Sequence, residues 1–353
     1  MKNLKKIIVF STVCFLVISL ISGCATATPD PVSTNDSTSE VSDETPSAET
    51  PPETVQEPEI KLAFILKTLG NPYWVAMQNG ILAEAEAQGI VADVFAAENE
   101  SDFEGQLAIF ENVMNNPDYA GIGFAPLSAV SLVSAAGEAT RKGIPLVNID
   151  ERCDPEELEA AGGKILAYFT TDNVAVGANG AKAIADMIGN TGKVAIVEGM
   201  PGVAAGEARK IGATEYFDSI PGITVVASQP GDWDRQKALD VAANILQVHP
   251  DLKGFYCAND TMALGVAQAV INAGLEGKVF VVGTDGHPEA FDAVEAGMML
   301  ATVAQDPGQM GATALVALLE AIKAGKVATT ADPGVTYIDS ILVTKDNVSS
   351  FIN

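Results

Sequence analysis

The strongest constraint on this chain is an alternation. From residue 60 onward, short apolar runs with strand character alternate with longer runs of helical period. Strands are predicted at 60–66, 90–96, 121–124 and 144–149, with helices between them at 72–88, 102–114 and 128–141. Such β-α-β order with short polar connections calls for a parallel sheet covered on both faces. The pattern then restarts. Strands are predicted at 165–169, 193–197, 224–227, 254–257, 279–282 and 300–304, and helices at 174–188, 204–217, 235–248, 261–273 and 309–324. These are too many strands for one comfortable doubly wound sheet, so the chain is expected to form two α/β lobes. A last strand near 335–343 has no obvious helix after it and suits a return crossing between lobes.

The polar loops fall after the strands, where open α/β sheets bind ligands. The first, Lys67-Thr68-Leu69-Gly70-Asn71-Pro72-Tyr73-Trp74, joins a strand to a helix. Pro72 suits the first helical turn, Asn71 can cap the helix, and Gly70 permits a tight turn. Two aromatic rings and an amide meet there, which suits a small polyhydroxylated molecule. The same rings equally suit a helix start that packs into the core. If the lobes face each other along their carboxyl strand edges, the loops line one cleft.

The amino-terminal flank carries different information. Residues 1–23 resemble a secretory signal, with Lys2, Lys5 and Lys6 ahead of an apolar run too short for a comfortable membrane span. The run ends in Ile21-Ser22-Gly23-Cys24, which resembles a bacterial lipobox with Cys24 as the lipid attachment site. Acyl chains there would anchor the protein to the cell membrane without a spanning helix. Residues 24–59 are rich in Pro, Ser, Thr, Asp and Glu and contain no Lys or Arg. They lack the apolar residues for a core and are expected to form a disordered acidic tether. The net charge of −26 argues against nucleic acid and anionic membrane surfaces as partners. Cys153 and Cys257 either pair or, the favoured reading, sit apart as small buried residues.

Residues 60 to about 347 carry an ordered set of motifs. They are Thr68-Leu69-Gly70-Asn71-Pro72-Tyr73-Trp74, Ile144-Pro145-Leu146-Val147-Asn148-Ile149-Asp150, Thr171-Asp172-Asn173, and Glu198-Gly199-Met200-Pro201-Gly202 with Glu207-Ala208-Arg209. Gln229-Pro230-Gly231-Asp232-Trp233-Asp234-Arg235, Asn259-Asp260-Thr261, Gly283-Thr284-Asp285-Gly286 and Ala304-Gln305 complete it. Each is weak alone. Their order over nearly the whole mature chain resembles the type I periplasmic sugar-binding proteins, close to the ribose, galactose and xylose receptors of ABC transporters.

The resemblance implies an α/β fold of two Rossmann-like lobes with three inter-lobe crossings and a ligand cleft between them. It places residues 60–171 and 306–337 in the N-terminal lobe, and 172–305 and 338–353 in the C-terminal lobe. It implies a monomer that needs no cofactor or metal. Its partners would be a monosaccharide and the transmembrane subunits of an ABC permease. Carried over by position, Asn71, Asp150, Asn259, Asp285 and Gln305 would bond sugar hydroxyls. Arg209 and Arg235 would donate to sugar oxygens and neutralise the two aspartates. Tyr73 and Trp74 would stack on one sugar face and Trp233 on the other, unless Trp233 is a core residue. Lys67, Ala125, Glu151 and Thr284 depart from the ribose-receptor pattern. Lys67 and Glu151 could pair with each other, or select a pentose, hexose, polyol or charged derivative instead of ribose.

The function implied is capture of a monosaccharide for an ABC importer; a sensor presenting sugar to a membrane kinase or chemoreceptor is the alternative. An enzyme has little support. His249 and His287 stand without a nucleophile pattern, the stretch 189–193 is too short for a phosphate-cradling loop, and no metal-ligand cluster is apparent. A repressor of this fold would need a basic DNA-reading head where this chain has its signal and acidic tether.

Overall fold

The computed structural model describes residues 60–352. The expected signal, lipobox and tether lie outside the described residues. The first sheet collects β1 (Lys61–Thr68), β2 (Val91–Ala97), β3 (Gly121–Phe124), β4 (Leu146–Ile149), β5 (Ala167–Thr171) and, from far down the chain, β11 (Thr336–Ile338). Its order is β11-β5-β4-β3-β1-β2. The second sheet collects β6 (Gly192–Glu198), β7 (Ile223–Pro230), β8 (Leu252–Cys257), β9 (Phe280–Asp285), β10 (Ala301–Ala304) and β12 (Ile341–Thr344), in the order β12-β10-β9-β8-β6-β7. Both sheets thus repeat one doubly wound order, in which the second strand lies outside the first and the third lies on its other side. The direction of winding reverses beside β1 and beside β6, and ligand crevices open at such points.

The helices follow the alternation. The first lobe carries α1 (Pro72–Gln88), α2 (Phe103–Asn115), α3 (Val133–Arg141) and α4 (Pro155–Ala160). The second carries α5 (Asn173–Met187), α6 (Ala204–Asp218), α7 (Arg235–Val248), α8 (Asp260–Asn272) and α9 (Pro288–Glu295). The long helix α10 (Pro307–Lys323) returns to pack on α1 and on β3, β4 and β5. The approach of α1 and α10 is close: a Cβ on Gly80 would lie 2.1 Å from the carbonyl oxygen of Gly308, so only glycine fits there. Each sheet has an apolar core on both faces. Phe64, Met77 and Leu315 lie on one side of the first sheet, and Ile65, Phe110 and Phe124 on the other. In β1 every residue after Lys61 is buried, which is why the strand reads as an unbroken apolar run rather than an alternating one.

Three findings correct the sequence reading. The second round of strands begins at β6, not at 165–169: β5 pairs with β4 and β11 and belongs to the first sheet. The misplacement arises because α4 is only six residues long, too short to register as a helical period. Helix α9 was likewise not anticipated, being eight residues long. The single strand expected at 335–343 is two short ones. β11 runs parallel to β5, while β12 runs antiparallel to β10 in the other sheet, so the chain crosses at 339–340. Cys153 and Cys257 are both buried free thiols.

Candidate functional site

The loops at the carboxyl ends of the strands of both sheets line a small cavity of about 40 Å³. Lys67, Asn71, Tyr73, Trp74, Glu100 and Asp150 line it from the first lobe, and Val203, Ala205, Arg209, Trp233, Asn259 and Asp285 from the second.

Two asparagines sit in matching roles. Asn71 is the N-cap of α1, and its Oδ1 accepts from the Tyr73 N–H at 3.1 Å. Asn259 is the N-cap of α8, and its Oδ1 accepts from the Met262 N–H at 2.9 Å. Capping commits each carbonyl oxygen to its helix and leaves the amide NH₂ as the group free to donate. Nδ2 of Asn259 is buried and finds no partner among the described residues. A buried donor left in that condition is costly until something polar fills the space beside it.

Two aspartates also match. Asp150 follows β4 and Asp285 ends β9, the fourth strand of each lobe, and both have left-handed backbone, with φ of 60° and 118°. For a residue with a Cβ this conformation is strained and persists only where neighbours hold it. At Asp150 the Tyr73 hydroxyl donates to Oδ1 at 2.7 Å, and the Tyr168 hydroxyl donates to the backbone carbonyl at 2.8 Å. At Asp285 the hold comes from Asp260, whose Oδ2 accepts from the N–H groups of Gly286 and His287 at 2.7 and 2.9 Å. Oδ1 of Asp260 accepts from the Thr302 hydroxyl at 2.7 Å and ties this turn to β10.

Arg209 is the cation of the second lobe. It is buried on α6, with Nε donating to Asn173 Oδ1 at 2.8 Å and Nη1 donating to the Ala258 carbonyl at 2.8 Å and to Asp285 Oδ1 at 3.2 Å. Gln305 Nε2 donates to the same Asp285 oxygen at 2.7 Å. Burial pushes the Asp285 carboxyl up to about 7, with Arg209 and Gln305 pulling against it. Burial likewise lifts Asp260 to about 6. Burial also works against the charge of Lys67. The carboxylates of Glu151, Glu100 and Asp150 outweigh it and raise the ammonium above its usual range, so Lys67 is charged.

The aromatic rings are arranged differently from the expectation. Tyr73 and Trp74 both reach the cavity, but their ring planes stand at 84° with centroids 5.0 Å apart. Perpendicular rings cannot both lie flat on one face of a ligand. Both are packed into the first lobe's core, and their polar tips are engaged, Tyr73 with Asp150 and Trp74 Nε1 with Glu100 Oε1 at 3.2 Å. Trp233 lies in the loop between β7 and α7 with a left-handed backbone, φ 62°. Its indole covers Gly199 and Gly206; a Cβ on Gly199 would fall 2.0 Å from the ring. Its Nε1 is buried without a partner among the described residues.

Three other expected site residues stand elsewhere. Arg235 opens α7 and forms a two-pronged pair with Glu289 of α9, at 2.8 and 2.6 Å, on the surface. It neutralises neither aspartate, because the unanticipated helix α9 supplies a nearer carboxylate. Gln305 acts on Asp285 from behind and borders a neighbouring hollow with His287 rather than the main cavity. Glu151 is fully buried behind Lys67, 3.4 Å from its ammonium, and does not line the cavity. The pairing of Lys67 with Glu151 was one of the alternatives left open. His287 occupies the N-cap position of α9, but its side chain does not cap; Nε2 lies 3.5 Å from Asp285 Oδ2.

Glu100, Val203 and Ala205 were missed. Glu100 follows β2 at its carboxyl end, and the rule that polar loops after strands line the cleft would have included it. Val203 and Ala205 are apolar and carry no comparable signal.

A family profile described as periplasmic binding protein domain matches residues 62–326. The D-allose-binding periplasmic protein of Escherichia coli K12 is 56% identical over 285 residues, covering 80% of this chain and 91% of that protein. The ribose import binding protein of Bacillus subtilis is 33% identical over 269 residues, covering 76% and 84%. Among solved structures, a periplasmic solute-binding protein of an ABC transporter from Actinobacillus succinogenes, with bound D-allose, superposes with a TM-score of 0.78 at 37% identity, covering 83% of this chain and all of that one. These relatives are solute-binding proteins and not enzymes. With its two matched α/β lobes and the polar cavity between their strand ends, the chain belongs to the type I periplasmic sugar-binding protein family.

Proposed function

We propose that this chain captures a neutral monosaccharide of the D-allose and ribose class and delivers it to an ABC importer. The observation that carries this reading is the pairing of donors and acceptors around the cavity. Asn71, Asn259, Lys67 and Arg209 offer N–H groups, and Asp150, Asp285 and Glu100 offer carboxylate oxygens. A sugar hydroxyl both donates and accepts, so it needs both kinds of partner side by side. Trp233 supplies a flat apolar surface for the C–H face of a pyranose. D-allose is the first sugar to test, a choice supported by similarity to a D-allose-binding protein over most of both chains.

The charge balance bears on the alternatives left open by the sequence. Three carboxylates line the cavity against two cations. Added anionic charge would meet the acids in a site that loses water on closing, so sugar acids and sugar phosphates are disfavoured. Closure is a population shift between open and closed arrangements about the three crossings. The lobes that move are residues 60–171 with 306–338 and residues 172–305 with 341–352, the chain crossing at 339–340.

Isothermal titration calorimetry tests this directly. D-allose or D-ribose should bind with a dissociation constant on the order of micromolar, about −8 kcal/mol, while gluconate, galacturonate and ribose 5-phosphate give no heat. Absence of heat from every neutral pentose and hexose would sink the reading.

The finer part of the proposal is a lipid anchor at Cys24, supported by the positive head, the apolar run and Ile21-Ser22-Gly23-Cys24. Cys24→Ala should leave the protein unprocessed or free of the membrane fraction. A variant that is processed and stays anchored removes the lipid from the account.

A further inference from the structure

Helix α6 begins without a cap of its own. Its N-cap residue is Val203, which has no side-chain oxygen to accept from the first-turn N–H groups. The acceptor comes from the opposite lobe. Oε1 of Glu151, in the loop after β4, accepts from the Ala204 N–H at 2.8 Å, while Oε2 faces the Lys67 ammonium at 3.4 Å. No other hydrogen bond among the described residues joins a strand-end loop of the first sheet to one of the second.

We propose that Glu151 is the latch of the closed protein: a carboxylate of the first lobe that caps a helix of the second only while the cleft is shut. The inference rests on the sugar-binding reading for its function, though not for its geometry. A fully buried carboxylate needs partners for both oxygens. Glu151 finds one in each lobe: Lys67, beside it on β1, and the amino terminus of α6, where the aligned peptide dipoles favour a negative charge. Opening the cleft breaks only the second contact. Lys67 then keeps the carboxylate oriented for the next closure. The latch also acts on the helix that matters most to the cavity, because α6 carries Arg209, and Val203 and Ala205 at its start line the site. Glu151 is therefore a positioning residue for closure and not a sugar ligand.

Proline at position 204 provides a clean test. Ala204 is the first residue of α6, where proline's missing N–H is tolerated and its fixed φ suits a helix. Val203 before it is extended, with φ −89° and ψ 117°, the conformation a following proline demands. Ala204→Pro therefore deletes the one donor that Glu151 caps and keeps the helix. Sugar dissociation is measured by stopped-flow tryptophan fluorescence. Glu151→Ala and Ala204→Pro should each speed release by at least about tenfold, as expected for a hydrogen bond to a charged group. The double variant should be no faster than the Glu151→Ala single variant. Single effects that add, or release as slow as in the wild type, would overturn the latch. The second readout uses no sugar. The contact exists only in the shut form, so Glu151→Ala should move the ligand-free protein toward the open form, read as a larger radius of gyration by small-angle X-ray scattering; an unchanged radius would also overturn the latch. A wild-type protein that binds no sugar, with a Glu151→Ala variant that is measurably more open, would retire the sugar reading and leave the latch standing.

Discussion

Arg209→Met is expected to abolish measurable sugar binding, with a loss of more than about a hundredfold, and to lower stability by about 3–5 kcal/mol, the range for removing one partner of a buried ion pair. Methionine keeps the unbranched stem, so the loss comes from the guanidinium. Arg209 bonds Asn173, Ala258 and Asp285; without it Asn173 Oδ1 and the Ala258 carbonyl lose this buried donor, and Asp285 loses its cation and keeps only the neutral Gln305 amide. Calorimetry reads the binding and thermal melting reads the fold.

The same pair has a pH signature. The folded value of Asp285, about 7, lies above its ordinary value of 3.8 because of burial. A carboxyl shifted upward favours the folded state when protonated. Its contribution is fully present below about 4 and is lost as pH rises through about 7. Asp260, raised to about 6, acts in the same sense. The ligand-free protein should therefore gain stability from these two groups between pH 8 and pH 5. Sugar binding should run the other way, because hydroxyl donors favour the ionised Asp285, and affinity should fall as pH drops below about 7. In Arg209→Asn or Arg209→Lys variants that retain some binding, the fall should move to higher pH where the cation is lost and stay near its place where it is kept. Affinity equal at pH 5 and pH 8 would mean that Asp285 does not receive the sugar.

Trp233→Ala should weaken sugar binding by about ten- to a hundredfold, the scale of a large aromatic surface plus its stacking geometry. Its effect on the melting temperature should be small, since the ring is only partly buried against the second lobe's core. Gly199→Ala provides the sharper comparison. The added methyl would stand 2.0 Å from the indole and would push it from its place over Gly199 and Gly206. A loss comparable to Trp233→Ala, with the tryptophan still present, would assign the effect to the ring's position. Full affinity in Gly199→Ala would show that the indole has no part in holding the sugar.

Much of this architecture is legible in the chain. The ranges of α1 and α7 follow directly from local signals. Asn71 and Pro72 open α1, and Asp234, whose carboxylate accepts from the Lys237 N–H, opens α7. Buried parallel strands read as apolar runs, so β1 and β3 stand out. Short elements do not. α4 and α9 span too few turns to establish a period, and their absence from the reading misassigned β5 and hid the partner of Arg235. Strand-end loops mark the cavity's rim, which is why Asn71, Asp150, Trp233, Asn259 and Asp285 are found together, whereas Arg209 reaches them from within α6. Trp74 and Tyr73 are there as well, but in a perpendicular packing that a linear chain cannot express.

By itself the sequence determined where the longer strands and helices lie, that they make two lobes, and which polar loops end up at strand tips. Period, caps and turn residues act within a few positions, so they can be read in order. Which carboxylate meets which cation was decided only by the tertiary structure. Arg209 reaches Asp285 across 76 positions, Lys67 reaches Glu151 across 84, and Glu151 reaches the Ala204 N–H across 53. Nothing in the local pattern around any of these residues encodes the other, because the energy of a buried charge depends on its distance from partners that only the folded chain brings near.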